Sequence, residues 1–307
     1  MTGPSPIAQA ALERLQARIG PRWAQDIRAH SQQVKDAYAP LLRAAPPSGA
    51  AIARDQPYGA HPRQVLDLFR PADLAAEAGA PVAVFVHGGG FVRGDKCVSG
   101  ELYDNVMHWF VRQGWVAANV EYRLAPEAPF PAGAEDVALA MDWLHRQVAA
   151  YGGDPARLLL IGHSAGGTHV ASYAFDPALG YLGRHAAALA LLSARLRADA
   201  LPANPNAAGV RAYFGEDMAR YEQRSPVRHA ATGALPVFIA IAEFENPLLD
   251  VYGLEFAHAL AAARGRAPRV LQLRGHNHMS MVAHFNSGEE RLGRELLDFF
   301  HRRGADE

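Results

Sequence analysis

The chain has 307 residues, half of them hydrophobic, and its acidic and basic residues nearly cancel at a formal net charge of -1. This length suffices for one large domain with a full core, and the balanced charge gives nucleic acid no basic surface to bind. No apolar stretch approaches the roughly 18 residues of a membrane span, and charged residues interrupt the pattern of an N-terminal signal peptide. A cytoplasmic protein without a nucleic-acid or membrane partner is therefore expected.

Strand-like and helix-like segments alternate along most of the chain. Apolar residues recur on one face of a 3.6-residue period at residues 134–150 and again at residues 289–301, so both segments predict amphipathic helices. This alternation predicts a single α/β domain over residues 1–307, with a mostly parallel sheet flanked by helices. The predicted strands are residues 64–69, 81–86, 116–121, 157–162, 187–192, 236–242 and 269–273.

Two segments lie outside the alternation. Residues 7–42 predict two short helices that end near Pro40, and residues 195–233 form an insertion that carries Tyr213 and Phe214. Both segments are candidates for shaping a substrate entrance. Aromatic residues at this spacing either line a pocket or fill a helix seam, and the sequence leaves both alternatives open.

The first chemical signal is the sequence HGGGF at residues 87–91, directly after the predicted strand 81–86. Consecutive glycines leave backbone N–H groups unshielded. In acyl transfer the carbonyl oxygen becomes an anion, and donors held where that charge develops lower the barrier, by about 2.7–4 kcal/mol for each donor. Gly89 and Gly90 are therefore candidate oxyanion donors.

The second signal is the sequence GHSAG at residues 162–166, which follows the apolar run 158–161. In a G-x-S-x-G pattern, small residues on both sides let a strained strand-to-helix turn expose the serine hydroxyl. Ser164 is therefore the candidate nucleophile, and the N–H of Ala165 is a third candidate oxyanion donor. Each motif alone is weak evidence, but acyl transfer requires both, and both follow predicted strands.

Cys97 is the only cysteine, which excludes an internal disulfide. It lies close to the glycine-rich segment in sequence. We nevertheless expect a buried or half-buried thiol rather than a nucleophile, because Ser164 already has the nucleophile's sequence context.

A nucleophilic serine needs a base and an acid, which follow it in the chain order serine, acid, histidine. The loop after strand 269–273 offers His276, His278 and His284, and spacing alone does not choose among them. The segment after strand 236–242 offers three carboxylates, which are Glu243, Glu245 and Asp250. His87 and His163 flank the two motifs and are expected to hydrogen-bond neighbouring loops.

Together with YRLAPEAPFPA at residues 122–132 and GGDP at residues 152–155, the two motifs make the chain resemble the α/β-hydrolases. Within them it resembles the hormone-sensitive-lipase-like carboxylesterases. The resemblance implies an α/β-hydrolase fold with a small helical cap, to which about residues 1–45 and 195–233 contribute. It also implies a substrate entrance beneath that cap, for which Phe91, Tyr213 and Phe214 are the candidate binding residues.

The resemblance also chooses among the acids and bases. The family's glycine-x-x-histidine pattern matches Gly275 to His278, which selects His278, with His276 as the competitor. Family members commonly have Asp-Pro just beyond the acid-bearing strand, and here Glu245-Asn246-Pro247 stands in that region, which selects Glu245. Glu243 remains the alternative acid, and Asp250 is expected to be an N-cap.

Some residues depart from the esterase pattern. That family usually has an acidic residue before the serine and Gly-Phe after the histidine, whereas this chain has His163 and Met279-Ser280. These differences, with GDK at residues 94–96 and SPVRH at residues 225–229, are similar to the arylformamidase-related branch.

The predicted function is hydrolysis of small-molecule carboxylic esters through a Ser-His-Glu triad and an acyl-enzyme. Short-chain or aryl esters are expected, because the short insertion before Gly233 leaves limited room for a lid over long chains. No cofactor or metal is expected, because no tight ligand spacing such as H-E-x-x-H occurs, and an oligomer is possible. The alternatives are an aryl formamide hydrolase with the same machinery and a ligand-binding protein on the same fold.

Overall fold

The structure is a computed structural model that describes residues 6–303. Its centre is a sheet of eight strands in the order β1-β2-β4-β3-β5-β6-β7-β8. The strands are β1 (Ala50–Pro57), β2 (Val65–Pro71), β3 (Ala80–Val86), β4 (Val116–Val120), β5 (Gly153–His163), β6 (Ala186–Leu192), β7 (Val237–Phe244) and β8 (Arg269–Asn277). β2 runs antiparallel to both β1 and β4, and all other neighbouring pairs are parallel.

Helices cover the two faces of the sheet. The α-helices are α1 (Pro6–Ile19), α2 (Ile27–Ala44), α3 (Asp104–Arg112), α4 (Ala132–Gln147), α5 (Ala165–Phe175), α6 (Ala207–Phe214), α7 (Tyr221–Arg224), α8 (Leu249–Arg264), α9 (Ser280–Ala283) and α10 (Arg291–Arg302). Short 3-10 helices span Gly20–Gln25, Val148–Tyr151, Pro177–Leu179, Met218–Arg220 and Pro226–His229.

The core lies on both faces of the central strands, which alternate their side chains between two buried clusters. In β3, Val82, Val84 and Val86 belong to the cluster that includes residues of α4, α5 and α8. Ala83 and Phe85 belong to the other cluster, which includes residues of α3 and α10. Because strands buried on both faces are apolar at nearly every position, such strands are easily recognised in a sequence.

The order of the strands reverses at β3, because β4 lies on one side of it and β5 on the other. In open parallel sheets, a crevice forms at such a point beyond the carboxyl ends of the strands. Here the glycine-rich loop leaves β3 at this point, and Ser164 follows β5 there. The topology therefore brings the two sequence motifs to one edge of the sheet.

The N-terminal segment packs beside this edge. α1 packs against β8, and α2 packs against α9. Trp23, which is buried in the turn between α1 and α2, donates its Nε1–H to Asn246 Oδ1 at 2.8 Å. This segment therefore rests on the loops that follow β7 and β8.

All seven predicted strands occur, together with the predicted mostly parallel sheet, but two local predictions were wrong. β1 was missed because it is an edge strand: none of its residues is fully buried, and its partly buried and exposed positions do not alternate regularly. Pro40 does not end its helix, since α2 continues to Ala44 with Pro40 inside it. Beyond Pro40, Leu42 is buried in the core, and this packing outweighs the local preference.

Candidate active site

Ser164 occupies a sharp turn between β5 and α5. Its backbone has φ 55° and ψ -119°, which is a strained conformation for a residue with a side chain. Gly166 allows α5 to start directly against β3, because a Cβ atom at this position would lie 2.2 Å from the carbonyl oxygen of Val86. The strained turn leaves the Ser164 side chain at the surface of a cavity instead of in the core.

His278 follows β8 and faces Ser164. Its Nε2 lies 3.0 Å from Ser164 Oγ, and its Nδ1 lies 2.9 Å from Glu245 Oε2. The His278 side chain is 7% exposed and that of Glu245 is 3% exposed, so most of the pair is shielded from water. The backbone N–H of His278 donates to the carbonyl of Phe244 at 3.1 Å, which ties the loop of the histidine to the strand of the acid.

Further donors hold the Glu245 carboxylate in its orientation. Its Oε1 accepts hydrogen bonds from the Ser193 hydroxyl and, at 2.8 Å, from the N–H of Ala242. The N–H of Asn246 lies 3.3 Å from Oε2. Hydrogen bonds to an ionised acceptor are stronger than neutral ones, so these donors both orient the carboxylate and stabilise its charge. The sequence analysis did not identify Ser193, because a serine at a strand end has no distinctive pattern.

The competing acids and base have other contacts. Glu243 is exposed and accepts a hydrogen bond from the N–H of Gly275 at 2.6 Å. Asp250 is the second residue of α8, whose N-cap is Leu248, so the expectation that Asp250 is an N-cap was wrong. His276 contacts Ser280 and Glu289 instead of the cavity serine.

The glycine-rich loop passes beside the serine. A Cβ atom at Gly88 would lie 2.9 Å from Ser164 Cβ. At Gly89 a Cβ atom would lie 1.7 Å from the carbonyl oxygen of Arg93, so only glycine fits there. Within residues 6–303, the N–H groups of Gly89, Gly90 and Ala165 donate no hydrogen bond to another protein group. Gly89 and Gly90 border the same cavity as Ser164, whereas Ala165, the residue after the serine, is buried.

His163 and His87 hydrogen-bond neighbouring loops, as expected. His163 donates its Nε2–H to the carbonyl of His278 at 3.1 Å. Burial lowers the pKa of His163 well below its ordinary value, and the His278 ring lowers it further, so His163 is neutral. His87 contacts the carbonyl of Gly88 at 2.7 Å and Glu121 at 3.0 Å. Through its hydrogen bond to the carbonyl of His278, His163 supports the loop that carries His278.

A cavity of about 750 Å³ opens over Ser164. Within residues 6–303, no aspartate or glutamate contributes to its lining. The lining residues are Ile27, Arg28, Ser31, Gln32, Lys35, Gly88, Gly89, Gly90, Arg93, Gly94, Val98, Tyr103, His163, Ser164, Pro205, Asn206, Asn246, His278 and Met279. α2 supplies five of these residues, and residues 205 and 206 come from the insertion 195–233, so both segments that the sequence singled out border the cavity.

The structure contradicts the predicted substrate contacts of Phe91, Tyr213 and Phe214, because none of the three lines this cavity. All three are buried and pack against one another: the Phe91 and Tyr213 rings stack with centroids 4.8 Å apart, and Phe214 meets Phe91 edge-on at 5.5 Å. These aromatic residues fill a seam between the glycine-rich loop and the insertion, which was the alternative that the sequence had left open.

Cys97 is a free and half-buried thiol, as expected. Burial and the nearby Asp104 carboxylate raise its pKa to about 11, so the thiol is protonated near neutral pH. Among residues 6–303, no group of three or more His, Cys, Asp or Glu side chains is arranged to hold a metal ion. No helix in the same range is long and apolar enough to cross a membrane.

Comparison with known proteins identifies relatives of the central part of the chain. Residues 66–176 match the family model BD-FAE. Esterase LipC of Mycobacterium tuberculosis is 37% identical over 110 residues, which are 36% of this chain and 26% of LipC. Carboxylesterase NlhH of the same species is 42% identical over 89 residues, which are 28% of this chain and 26% of NlhH. The matches thus span about a quarter of the length of these relatives.

Solved structures resemble nearly the whole chain. A hyperthermophilic esterase from Pyrobaculum calidifontis has a TM-score of 0.69 and 22% identity, over 98% of this chain and 99% of that one. A bacterial heroin esterase has a TM-score of 0.68 and 24% identity, over 91% and 92% of the two chains. These similarities confirm the predicted α/β-hydrolase fold.

Proposed function

We propose that this chain, which has the α/β-hydrolase fold, is a serine hydrolase that cleaves carboxylic esters. The observation that carries the proposal is one continuous set of hydrogen bonds. Ser164 Oγ lies 3.0 Å from His278 Nε2, and His278 Nδ1 lies 2.9 Å from Glu245 Oε2. The esterase names of the curated relatives and of the structural neighbours support the same reaction class.

In the first half of the reaction, His278 Nε2 takes the proton of Ser164 as Oγ attacks the ester carbonyl. The resulting oxyanion accepts hydrogen bonds from the N–H groups of Gly89, Gly90 and Ala165. When the tetrahedral intermediate collapses, the C–O bond to the leaving group breaks, and imidazolium His278 gives its proton to the departing alkoxide. The alcohol leaves, and the acyl group remains on Ser164.

In the second half, water takes the place of the alcohol. The oxygen of the water attacks the acyl carbon while His278 accepts a proton from the water. The N–H groups of Gly89, Gly90 and Ala165 bind the second oxyanion. The bond to Ser164 Oγ then breaks, and Oγ recovers its proton from His278. The products are the carboxylic acid and the unmodified enzyme, so no further reactant is consumed.

Glu245 orients the imidazole and offsets the positive charge that His278 gains during attack. This role requires charge and position but no proton transfer, so a glutamate can fill it. The N–H of Ala242 and the hydroxyl of Ser193 support the role by holding Oε1, which leaves Oε2 directed at the histidine.

The chain functions as one α/β-hydrolase domain, in which about residues 1–45 and 195–233 form a cap over the site. Residues 1–5 of the first segment lie outside the described residues. Five residues of α2, together with Pro205 and Asn206 of the insertion, line the cavity and support this role. A cavity of about 750 Å³ suits a small molecule, which supports short-chain or aryl esters as substrates.

A substrate panel tests this function. Turnover of 4-nitrophenyl acetate, butyrate and decanoate is measured together with turnover of formanilide, which reports arylformamidase activity. We expect the acetate and butyrate to be hydrolysed and Ser164→Ala to be inactive towards both. A fluorophosphonate should label the wild-type protein with a mass shift that the Ser164→Ala variant lacks.

Three outcomes of the panel distinguish the alternatives. A clear preference for formanilide would replace the ester by an aryl amide while keeping the same nucleophile. Fluorophosphonate labelling of both proteins would move the nucleophile away from Ser164. No turnover of any carbonyl compound, with tight binding of one of them, would favour a ligand-binding protein on this fold.

A further inference from the structure

The face of α2 that borders the cavity is basic. Arg28 and Lys35, seven residues apart, project from the same side of this helix and line the cavity over Ser164, with Ser31 and Gln32 between them. The buried residues of α2 are Val34, Tyr38 and Leu42, which fix the orientation of the helix by packing in the core. The core contacts of α2 therefore hold Arg28 and Lys35 over the cavity.

A third cation reaches the cavity from the glycine-rich loop. Arg93 lines the cavity, and its Nη2 lies 3.9 Å from the position that a Cβ atom would have at Gly90. The same Nη2 lies 3.5 Å from Asn206 Oδ1. The guanidinium therefore stands beside a proposed oxyanion donor, on the side of the cavity that the insertion borders.

These three cations are not among the arginines and lysines that form ion pairs in the described part of the chain. Among residues 6–303, no carboxylate lies within ion-pair distance of Arg28, Lys35 or Arg93, and none lines the cavity. Lys96, the only other lysine, contacts Asp55 at 2.8 Å and Asp67 at 3.4 Å.

The acidic residues on and next to α2 are engaged elsewhere. Asp26 accepts a hydrogen bond from the N–H of Ala29 at 3.0 Å as the N-cap of the helix, and Asp36 accepts one from Gln32 at 2.8 Å. Glu245 is buried behind His278 and bonded to it. Among the residues that line the cavity, the charged side chains are therefore the cations Arg28, Lys35 and Arg93, while these carboxylates lie outside the lining.

We propose that the preferred substrates of this site are esters that carry a second, ionised carboxylate, which Arg28, Lys35 and Arg93 recognise. This inference rests on the proposed ester hydrolysis. Arginine binds a carboxylate through two parallel hydrogen bonds, and the flexible lysine adds a point charge. The carboxylate of the substrate supplies the charge that the cavity lacks, while the ester carbonyl reaches Ser164.

Matched pairs of esters test the preference, because the members of each pair are similar in size and shape and only one of them is charged. On the acyl side, mono-4-nitrophenyl adipate is compared with 4-nitrophenyl 6-methylheptanoate, in which an isopropyl group replaces the carboxylate. On the leaving-group side, 3-acetoxybenzoate is compared with 3-acetoxybenzamide. We expect kcat/KM for the charged member of at least one pair to exceed that of the neutral member by about tenfold at low salt.

Variants assign the preference to the named cations. Lys35→Gln and Arg93→Gln should each lower the ratio of charged to neutral kcat/KM by about threefold, and Lys35→Glu should lower it further. Arg146→Gln removes one positive charge from an exposed site on α4 outside the cavity and should retain the wild-type ratio. Screening by 0.5 M NaCl should reduce the ratio of the wild-type protein.

The outcomes separate this inference from the proposed function. Equal kcat/KM within both pairs, with all esters hydrolysed, overturns the charge preference and leaves the esterase proposal intact. If no ester is turned over, the proposed function fails, and calorimetric binding of the same pairs to the Ser164→Ala variant then tests the cations alone. Equal affinity for the charged and neutral members overturns the inference, and tighter binding of a charged member upholds it.

Discussion

Two clusters of serine, histidine and glutamate are centred on His278 and His276, which are two positions apart in the chain, and only the first of them opens on the cavity. The Ser164 cluster joins Ser164, His278 and Glu245 through contacts of 3.0 and 2.9 Å. The Ser280 cluster joins Ser280, His276 and Glu289 through contacts of 3.1 and 3.0 Å. Residue types and distances are thus nearly the same, although the surroundings differ.

The difference lies in how the serine is presented. Ser164 has a positive φ and reaches the cavity beside N–H groups without partners. Ser280 is fully buried, accepts a hydrogen bond from the N–H of Asn277 and donates one to the carbonyl of the same residue. His276 also faces Ser280 through Nδ1, whereas His278 faces Ser164 through Nε2. A serine, a histidine and a glutamate at hydrogen-bond distance therefore do not by themselves identify a candidate catalytic site. Access to the cavity and N–H donors without partners distinguish it from a structural cluster.

The largest expected contrast is between the two serines. Ser164→Ala removes the proposed nucleophile and should lower kcat by about 10⁴- to 10⁶-fold, because the residues of a catalytic triad act as a unit. Ser280→Ala removes only loop contacts and should cost about 1–3 kcal/mol of unfolding free energy, with a far smaller loss of kcat. Ester turnover and chemical unfolding of both variants measure the contrast. Equal losses of kcat at unchanged stability would show that the two clusters do not differ in this way.

The histidines give a similar contrast. His278→Ala removes the proposed base and should lower kcat about as much as Ser164→Ala does. His276→Ala removes contacts to Ser280 and Glu289 and should have a much smaller effect on kcat. Steady-state kinetics of the two purified variants compare them directly. A His276 variant that is inactive but stably folded would transfer the role of the base to His276.

The acids give a smaller contrast. Glu245→Gln keeps the shape of the side chain but favours the wrong imidazole tautomer, so kcat should fall by up to about 10⁴-fold. Glu289→Gln and Glu243→Gln change no contact of His278 and should be mild. Turnover is measured together with thermal unfolding, so that loss of function is separated from loss of fold. Should Glu243→Gln alone abolish turnover without loss of stability, the acid would be Glu243.

The smallest expected effect is a pH dependence of stability that arises beside the Ser280 cluster. Burial and the adjacent His276 lower the pKa of His284 to about 4. As the pH falls below 6.5 the unfolded chain binds a proton at this residue before the folded chain does, so stability is lost between about pH 6.5 and pH 4. His284 alone should destabilise the fold by about 2 kcal/mol between pH 7 and pH 5.

Denaturant unfolding at pH 7 and pH 5 measures this loss. His284→Gln should lose about 2 kcal/mol less than the wild-type protein over that interval. His258→Gln, at an exposed site on α8, is the matched control and should lose as much as the wild-type protein. Identical losses in all three proteins would mean that His284 does not contribute to the pH dependence.

The most predictable parts of the molecule were those whose local sequence is constrained by geometry. The strands beneath both motifs are buried on two faces and therefore apolar throughout, and the turn at Ser164 needs small neighbours because α5 begins against β3. The sequence also limited the base to three histidines and the acid to three carboxylates. It did not choose among them without the family resemblance, because His276 and His278 differ in sequence by only two positions.

Other features depended on contacts between distant segments. Ser193 reaches Glu245 across 52 positions of the chain, and Arg28 and Lys35 meet the cavity only because α2 packs beside the loops of β7 and β8. The aromatic residues Phe91, Tyr213 and Phe214 were assigned to the wrong surface for the same reason. Their residue types indicate a buried cluster, and only the packing of the insertion on the glycine-rich loop decides which surface they cover.

The sequence by itself determined the fold class, the strained turn of Ser164 and the glycine-rich loop, because each of these depends on residues that are adjacent in the chain. The tertiary structure alone decided that His278 faces Ser164 while His276 faces Ser280. It also decided that three cations border the cavity with no ion-pair partner among residues 6–303. Burial, access and charge balance at a site are properties of everything that packs around it, so they are settled only when distant segments of the chain meet.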